Sequence, residues 1–384
     1  MLLTNKQVAI IGGGPGGLTL ARLLQIQGVS VKVYERDYSE HARVQGATLD
    51  LHYESGLKVM EAAGLMDAFR AAYRPGAEKG RVVDEYGNIL FEDGREEAAL
   101  GFGDEAFRPE IDRGPLRNML LASLLPGTVI WNSHFKNMSR TDGAWLLEFH
   151  NGTTATADIV VGADGANSKI RPFITPERPF YSGITILQGN VPDSAMAVPD
   201  IHKLLNGGKL YIHAGGKFLH LSSKGDGSLD FYITFKKDEH WVANGGIDFS
   251  DKSHLHTWAA QEFAGWSPLW LDLFEHAEIP LLERPQYCMP LDQQWESLPD
   301  LTMLGDAAHP MPPSGEGVNL AMLDALDLSE CLTSAEFPDI RAAINAYESR
   351  MQERAAKEAR ESLEMSDWML SEGAATRMVE ILSQ

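Results

Sequence analysis

The segment "QVAIIGGGPGGLTLARLLQIQGVSVKVYERD" (7–37) restricts the possible folds more than any other stretch of this 384-residue chain. Val8 to Ile11 is a short β-branched run, as a buried parallel strand should be. A glycine turn follows, then a helical stripe through Leu18, Ala21, Leu23 and Leu24 that Gly28 ends, then a second, alternating strand over 29–35. Within this βαβ unit Gly12, Gly14 and Gly17 spell G-x-G-x-x-G. The first glycine permits a tight turn, the second lets the backbone approach a pyrophosphate, and the third lets helix and strand pack closely. Free N–H groups at the helix start, where Pro15 sits, face the phosphates. Glu35 closes the second strand about twenty residues on, placed to accept from a ribose 2′-OH, and Arg36 follows it. The motif predicts FAD or NAD without separating them.

Two further motifs separate them. "DIVVGADGANSKIRPFI" (158–174) carries G-A-D-G-x-x-S-x-x-R through Asp164, Gly165, Ser168 and Arg171. "LGDAAHPMPPSGEGVNLA" (304–321) joins a strand, a G-D pair, prolines, G-x-G and an asparagine at a helix start. That order suits a flavin: Asp306 on the ribityl chain, Pro312 and Pro313 as a stiff wall, and Gly315 and Gly317 permitting close approach of the ring. The amides from Gly315 to Val318, with Asn319 beside them, then meet the pyrimidine edge, where reduced flavin is negatively charged. No second G-x-G-x-x-G exists, so no separate nicotinamide domain is expected. His309 reads as structural, His213 and His220 lie on strands facing the expected pocket, and no general base is assigned.

The pattern elsewhere predicts an α/β (α+β) fold. A Rossmann-like FAD-binding domain (1–78, 105–178 and 285–335) is interleaved with a smaller antiparallel-sheet substrate domain (79–104 and 179–284). Strands alternate from 182 to 235 between Gly-rich turns, whereas 245–300 mixes tryptophans and prolines without a clear period. Ile340, Ile344, Tyr347 and Met351 recur at helical spacing, which predicts a long C-terminal helix over 336–384.

The formal net charge of −21 argues against nucleic acid or an anionic membrane surface as partner. The two cysteines, Cys288 and Cys331, form no paired motif, so neither a redox disulfide nor a metal site is expected. With no apolar run long enough for a membrane span and no charged leader, a cytoplasmic monomer acting on small molecules is expected.

The three motifs, in this order, resemble those of the class A flavin-dependent aromatic hydroxylases typified by p-hydroxybenzoate hydroxylase. Within them the likeness is closest to the TetX tetracycline monooxygenase family, in "VAIIGGGPGGLTLARLL", "YERD", "ARVQGATLDLH", "PEIDRGPLRNMLL" and "LGDAAHPMPP". The resemblance implies that NADPH or NADH reduces FAD, that O₂ adds at C4a, and that the hydroperoxide hydroxylates an aromatic or polycyclic substrate. It implies that Arg43 and Asp50 line the flavin and that Arg117 reaches its ribityl–phosphate portion. Gln188 falls where the family contacts substrate, and Lys209 and Asp230 stand where the TetX type has an arginine and a histidine. Lysine keeps the charge but loses the planar fork, and aspartate inverts it, so another phenolic or polyketide substrate stands beside tetracycline. A flavin halogenase lacks its WxWxIP signature here and a disulfide reductase lacks its cysteine pair. A non-catalytic flavin-binding redox sensor is the remaining alternative.

Overall fold

In the computed structural model, which describes residues 2–42, 48–93 and 101–383, the glycine-rich βαβ unit sits inside a parallel sheet. Its strand order is Leu301–Met303, Ile159–Gly162, Gln7–Ile11, Ser30–Tyr34 and Val129–Ile130. Each of the three flavin-type motifs leaves the carboxyl end of one of the three adjacent strands, the crevice position where open α/β sheets bind ligands. The glycine-loop helix Pro15–Ile26 packs against the motif helix Gly317–Thr333. A Cβ at Gly16 would stand 2.9 Å from the Ala321 carbonyl oxygen, so the close crossing of these helices requires glycine there.

A seven-stranded sheet forms the second layer, in the order Leu282–Cys288, Phe180–Val191, Leu229–Lys236, Lys217–Ser223, Lys209–Ala214, Gly80–Val83 and Ile89–Glu92. It is antiparallel except where Lys209–Ala214 pairs with Gly80–Val83. Strict alternation divides its faces. Leu187, Leu210, Ile212, Leu219, Leu221, Phe231 and Ile233 bury one face in a core shared with Leu255, Trp258, Trp270 and Phe274. The opposite face carries Gln188, Lys209, Tyr211, His220, Asp230 and Tyr232.

Three features differ from the sequence expectation. The boundary at 285 falls inside the strand Leu282–Cys288, which extends the second sheet. The stretch without a clear period contains the helices Lys252–Glu262 and Leu271–His276, whose aromatic residues fill the core beneath the sheet and so disguise the helical period. The C-terminal region is two helices, Ile340–Met369 and Ala374–Leu382, interrupted at Gly373 with φ +80°. The longer one braces the third motif: Tyr347 donates to the Met303 carbonyl at 2.9 Å, and Ser362 donates to that of Pro312. Among the described residues no helix is long and apolar enough to cross a membrane.

Candidate functional site

The glycine loop is shaped by contacts that exclude side chains at two positions and by open space at a third. Gly12 has φ +113°, and a Cβ there would lie 2.2 Å from the Ala163 carbonyl oxygen; at Gly17 one would lie 2.2 Å from that of Gly12. Gly14, which caps the helix with Pro15 behind it, faces nothing within 4 Å. That is the cradle a pyrophosphate needs. Glu35 is buried, and its carboxylate accepts from the Gly13 N–H at 2.6 Å and the Asp37 N–H at 3.0 Å. The acid expected at the ribose thus also braces the loop, while Arg36 is exposed.

The second motif is a strut. Asp164 accepts from the Ser168 hydroxyl at 2.6 Å and the Lys169 N–H at 2.6 Å, which folds the turn on itself. Buried Arg171 then reaches across, donating to the carbonyls of Ala307 (2.8 Å), Asp306 (2.9 Å) and Ala166 (2.9 Å). Asp306 is held by its backbone while its side chain is exposed at the cleft. Beyond it Gly315 (φ +90°) and Gly317 have open space where a Cβ would stand, Pro313 is exposed and Val318 half-buried. These residues fit a flavin: an open, backbone-lined edge at the N-terminus of a 17-residue helix with a carboxylate alongside.

Other predicted contacts are used differently. Asn319 is fully buried; its Oδ1 accepts from the N–H groups of His52 (3.0 Å) and Gly56 (3.2 Å), and its amide donates to the Asp50 carbonyl at 2.9 Å. It ties loop to helix and has little capacity left for a ligand. Arg117 donates to the Glu40 carbonyl at 2.8 Å, pairs with Asp37 at 3.2 Å and lies over Trp131, next to the end of the second strand. The cation of that helix that acts on Asp306 is Arg113, one turn earlier. Its i, i+4 spacing from Arg117 was the available signal. Arg43 lies outside the described residues.

Asp50 leads to a bridge that sequence reading missed. The His52 ring is held on both sides, Nε2 to Asp50 at 2.9 Å and Nδ1 to Glu316 at 2.9 Å. Both nitrogens must donate, so the ring is an imidazolium. Burial opposes that charge, but the two carboxylates outweigh it and raise the pKa to about 9, while Asp50 is lowered to about 2. His309 is structural: it pairs with buried Asp324 at 2.6 Å, which also accepts from the Gly305 N–H (2.9 Å) and Arg354 (2.8 Å).

Gln188, Lys209 and Asp230 share the polar sheet face. Across the strands Gln188 aligns with Tyr232, His220 and Tyr211, and the next row aligns Asp230, Ser222 and Lys209. The Lys209 ammonium pairs with buried Glu110 of the short strand Glu110–Asp112, so it does not stand free to meet a substrate anion. Burial opposes its charge, but Tyr211, Glu110 and Asp50 hold its pKa above the usual lysine range. His220, stacked 5.2 Å from Tyr211, is pushed by burial down to about 3 and is neutral. His213 is bound to the Met369 carbonyl at 2.9 Å and stacked on Phe218, which removes it from the open floor. Among the described residues no group of His, Cys, Asp and Glu could hold a metal ion, and both cysteines are free and buried.

Comparison with known proteins agrees with this geometry. Residues 5–362 match the FAD binding domain family. The monooxygenase asqM of Emericella nidulans is 30% identical, with 92% of this chain and 93% of that protein covered. The 6-hydroxynicotinate 3-monooxygenase of Pseudomonas fluorescens is 28% identical, covering 92% and 89%. The crystal structure of the tetracycline destructase Tet(55) shares the fold with a TM-score of 0.73 at 20% identity, covering 100% of this chain and 96% of that one. The chain therefore belongs to the FAD binding domain family, as an FAD-dependent flavoprotein monooxygenase of the aromatic hydroxylase type.

Proposed function

We propose that the enzyme hydroxylates a small, polar aromatic substrate seated on the Gln188–Tyr232–His220–Tyr211 row, with NADPH or NADH and O₂ as co-substrates. The observation that carries this reading is the half-buried row of hydrogen-bonding and aromatic side chains on a sheet whose other face is solid apolar core. Bound FAD supplies the redox chemistry and the activation of O₂. The chain's residues would hold it: the Gly12–Gly17 loop at the pyrophosphate, Asp306 at the ribityl chain, and the amides from Gly315 to Val318 at the pyrimidine edge. Those amides and the helix dipole favour negative charge at that edge. Aromatic stacking orients a planar substrate, and Gln188, Lys209 and Asp230 line the polar floor, Lys209 through its pair with Glu110.

A tetracycline is the second reading, supported by the shared fold with Tet(55). Incubating FAD-loaded enzyme with NADPH, O₂ and either tetracycline or a panel of hydroxylated pyridines and phenols separates the two. A mass gain of one oxygen identifies the substrate class, and a flavin that neither nicotinamide reduces would sink the monooxygenase mechanism proposed. The acidic surface and the buried free thiols support a monomer in a reducing, cytoplasmic compartment without nucleic-acid or membrane partners. Light scattering in solution tests the monomer.

A further inference from the structure

Glu316 stands at the N-cap position of the helix Gly317–Thr333, between the two glycines that open the flavin edge, yet its side chain does not cap that helix. A side chain in that position ordinarily accepts from the free N–H groups of the first turn. Here the carboxylate turns instead to the His52 Nδ1 at 2.9 Å, and the Nε2 of the same ring meets Asp50 at 2.9 Å. The main chain of His52 is tied to the same helix. Its N–H donates to the Asn319 Oδ1 at 3.0 Å, while the Asn319 amide donates to the Asp50 carbonyl at 2.9 Å. The ring, whose side chain is 12% exposed, therefore has neither a free nitrogen nor freedom to turn.

The triad carries −1 on Asp50, +1 on His52 and −1 on Glu316, which leaves a net −1. Neighbouring elements do not cancel the remainder. Lys209 is balanced by Glu110, and Glu358 of the long C-terminal helix faces Glu316 as a further carboxylate. Three charges taken out of water gain little net stability over a well-packed neutral trio, so stability alone does not explain them. Their place does, because fixed charge beside a partly dry cleft acts strongly on any charge that appears there.

We propose that His52 sets the reduction potential of the bound FAD, acting through Glu316 as a positioned counter-charge beside the pyrimidine edge. A hydride, two electrons and a proton, passes from the reduced nicotinamide to FAD. The nicotinamide leaves oxidised, and the flavin gains one negative charge, spread over N1 and the C2 carbonyl. With His52 charged, that new charge meets a triad of net −1. With a neutral residue in its place it meets −2, and reduction becomes harder. Glu316 acts with the opposite sign. The inference rests on the flavin site alone and on no particular substrate.

The test measures midpoint potentials of FAD-loaded wild type, H52Q, E316Q and H52Q/E316Q at pH 7, by anaerobic dithionite reduction against a reference dye. At that pH His52 is charged in wild type, its pKa being raised to about 9, and in E316Q the Asp50 contact still favours the imidazolium. H52Q should hold oxidised over reduced flavin at least about tenfold more strongly than wild type, a fall of about 30 mV for a two-electron couple. E316Q should move the potential upward by a similar amount. The double variant restores the net −1 and should return close to wild type. A structural disturbance would move both single variants the same way, and that result overturns the proposal, as does an unmoved H52Q or a double variant in which the shifts fail to cancel. If H52Q does not retain FAD, E316Q decides: a potential at or below that of wild type overturns the proposal. Dithionite needs no nicotinamide, O₂ or aromatic substrate, so this result stands apart from the hydroxylase reading, which NADPH reduction of the same preparations reports separately.

Discussion

Arg171 holds the main chain of Asp306: its guanidinium donates to the Asp306 carbonyl at 2.9 Å and to that of Ala307 at 2.8 Å. The second motif thereby sets the position of the third, although about 135 residues separate them in the chain. Asp306 is free to face the cleft because its backbone, not its carboxylate, is the anchor. Removing the guanidinium orphans buried carbonyls, so R171A should lose about 3 kcal/mol of stability and most of its bound FAD. Thermal unfolding and the ratio of flavin to protein absorbance check this; wild-type values for both would refute the strut.

The Asp306 side chain makes no comparable structural contribution, being exposed. D306A should therefore bind FAD at least about tenfold more weakly, yet its apoprotein should melt within about 0.5 kcal/mol of wild type. Fluorescence titration of apoprotein with FAD measures the first, and urea unfolding the second. Undiminished FAD affinity would remove the ribityl assignment.

The glycines of the first motif should divide into two kinds. G12A forces a Cβ to within 2.2 Å of a carbonyl oxygen at φ +113°, so it should cost several kcal/mol and yield little folded protein. G14A places a Cβ in open space, so the fold should survive and only FAD binding should fall. Soluble yield and flavin content of the two variants decide, and equal behaviour in both assays counts against the division.

The Asp50–His52–Glu316 bridge should make stability pH-dependent. The His52 pKa is raised in the folded state, so its contribution is complete below about 6.5 and is lost as pH rises through about 9. The linked free energy is about 3 kcal/mol at most. Asp50 acts at the other extreme, its contribution lost as pH falls from about 4 through about 2. H52Q should be less stable than wild type at pH 6 and differ little at pH 10. Melting curves taken across that range test the claim, and a constant gap between the two proteins would show that His52 is not charged.

The buried pair of Lys209 and Glu110 predicts asymmetric mutants. K209M should destabilise by about 3–5 kcal/mol because it leaves Glu110 buried and uncompensated. The double variant K209M/E110Q should recover much of that loss. Denaturant unfolding of the single and double variants checks the coupling; additive losses would mean that the pair does not interact.

The sequence by itself determined the parts that depend on backbone geometry. Gly12, Gly14 and Gly17 encode a turn, a cradle and a close packing that few other residues permit, and strict alternation over 182–235 fixes which side chains share a sheet face. Hence the fold class and the cofactor were legible, whereas Gln188, Lys209 and Asp230 came from the family resemblance and only the strand pairing set them on one face. Tertiary structure alone decided what each side chain's polar atoms do, because that depends on partners distant in the chain. Asn319 reads as a ligand for flavin until the loop at Asp50–Gly56 consumes its amide. Lys209 reads as a free cation until Glu110 neutralises it, and His52 carries no motif until Glu316 arrives on its far side. Hydrogen-bond capacity is finite and local in space, not in sequence, so only the folded chain shows that Asp230 has an oxygen to spare.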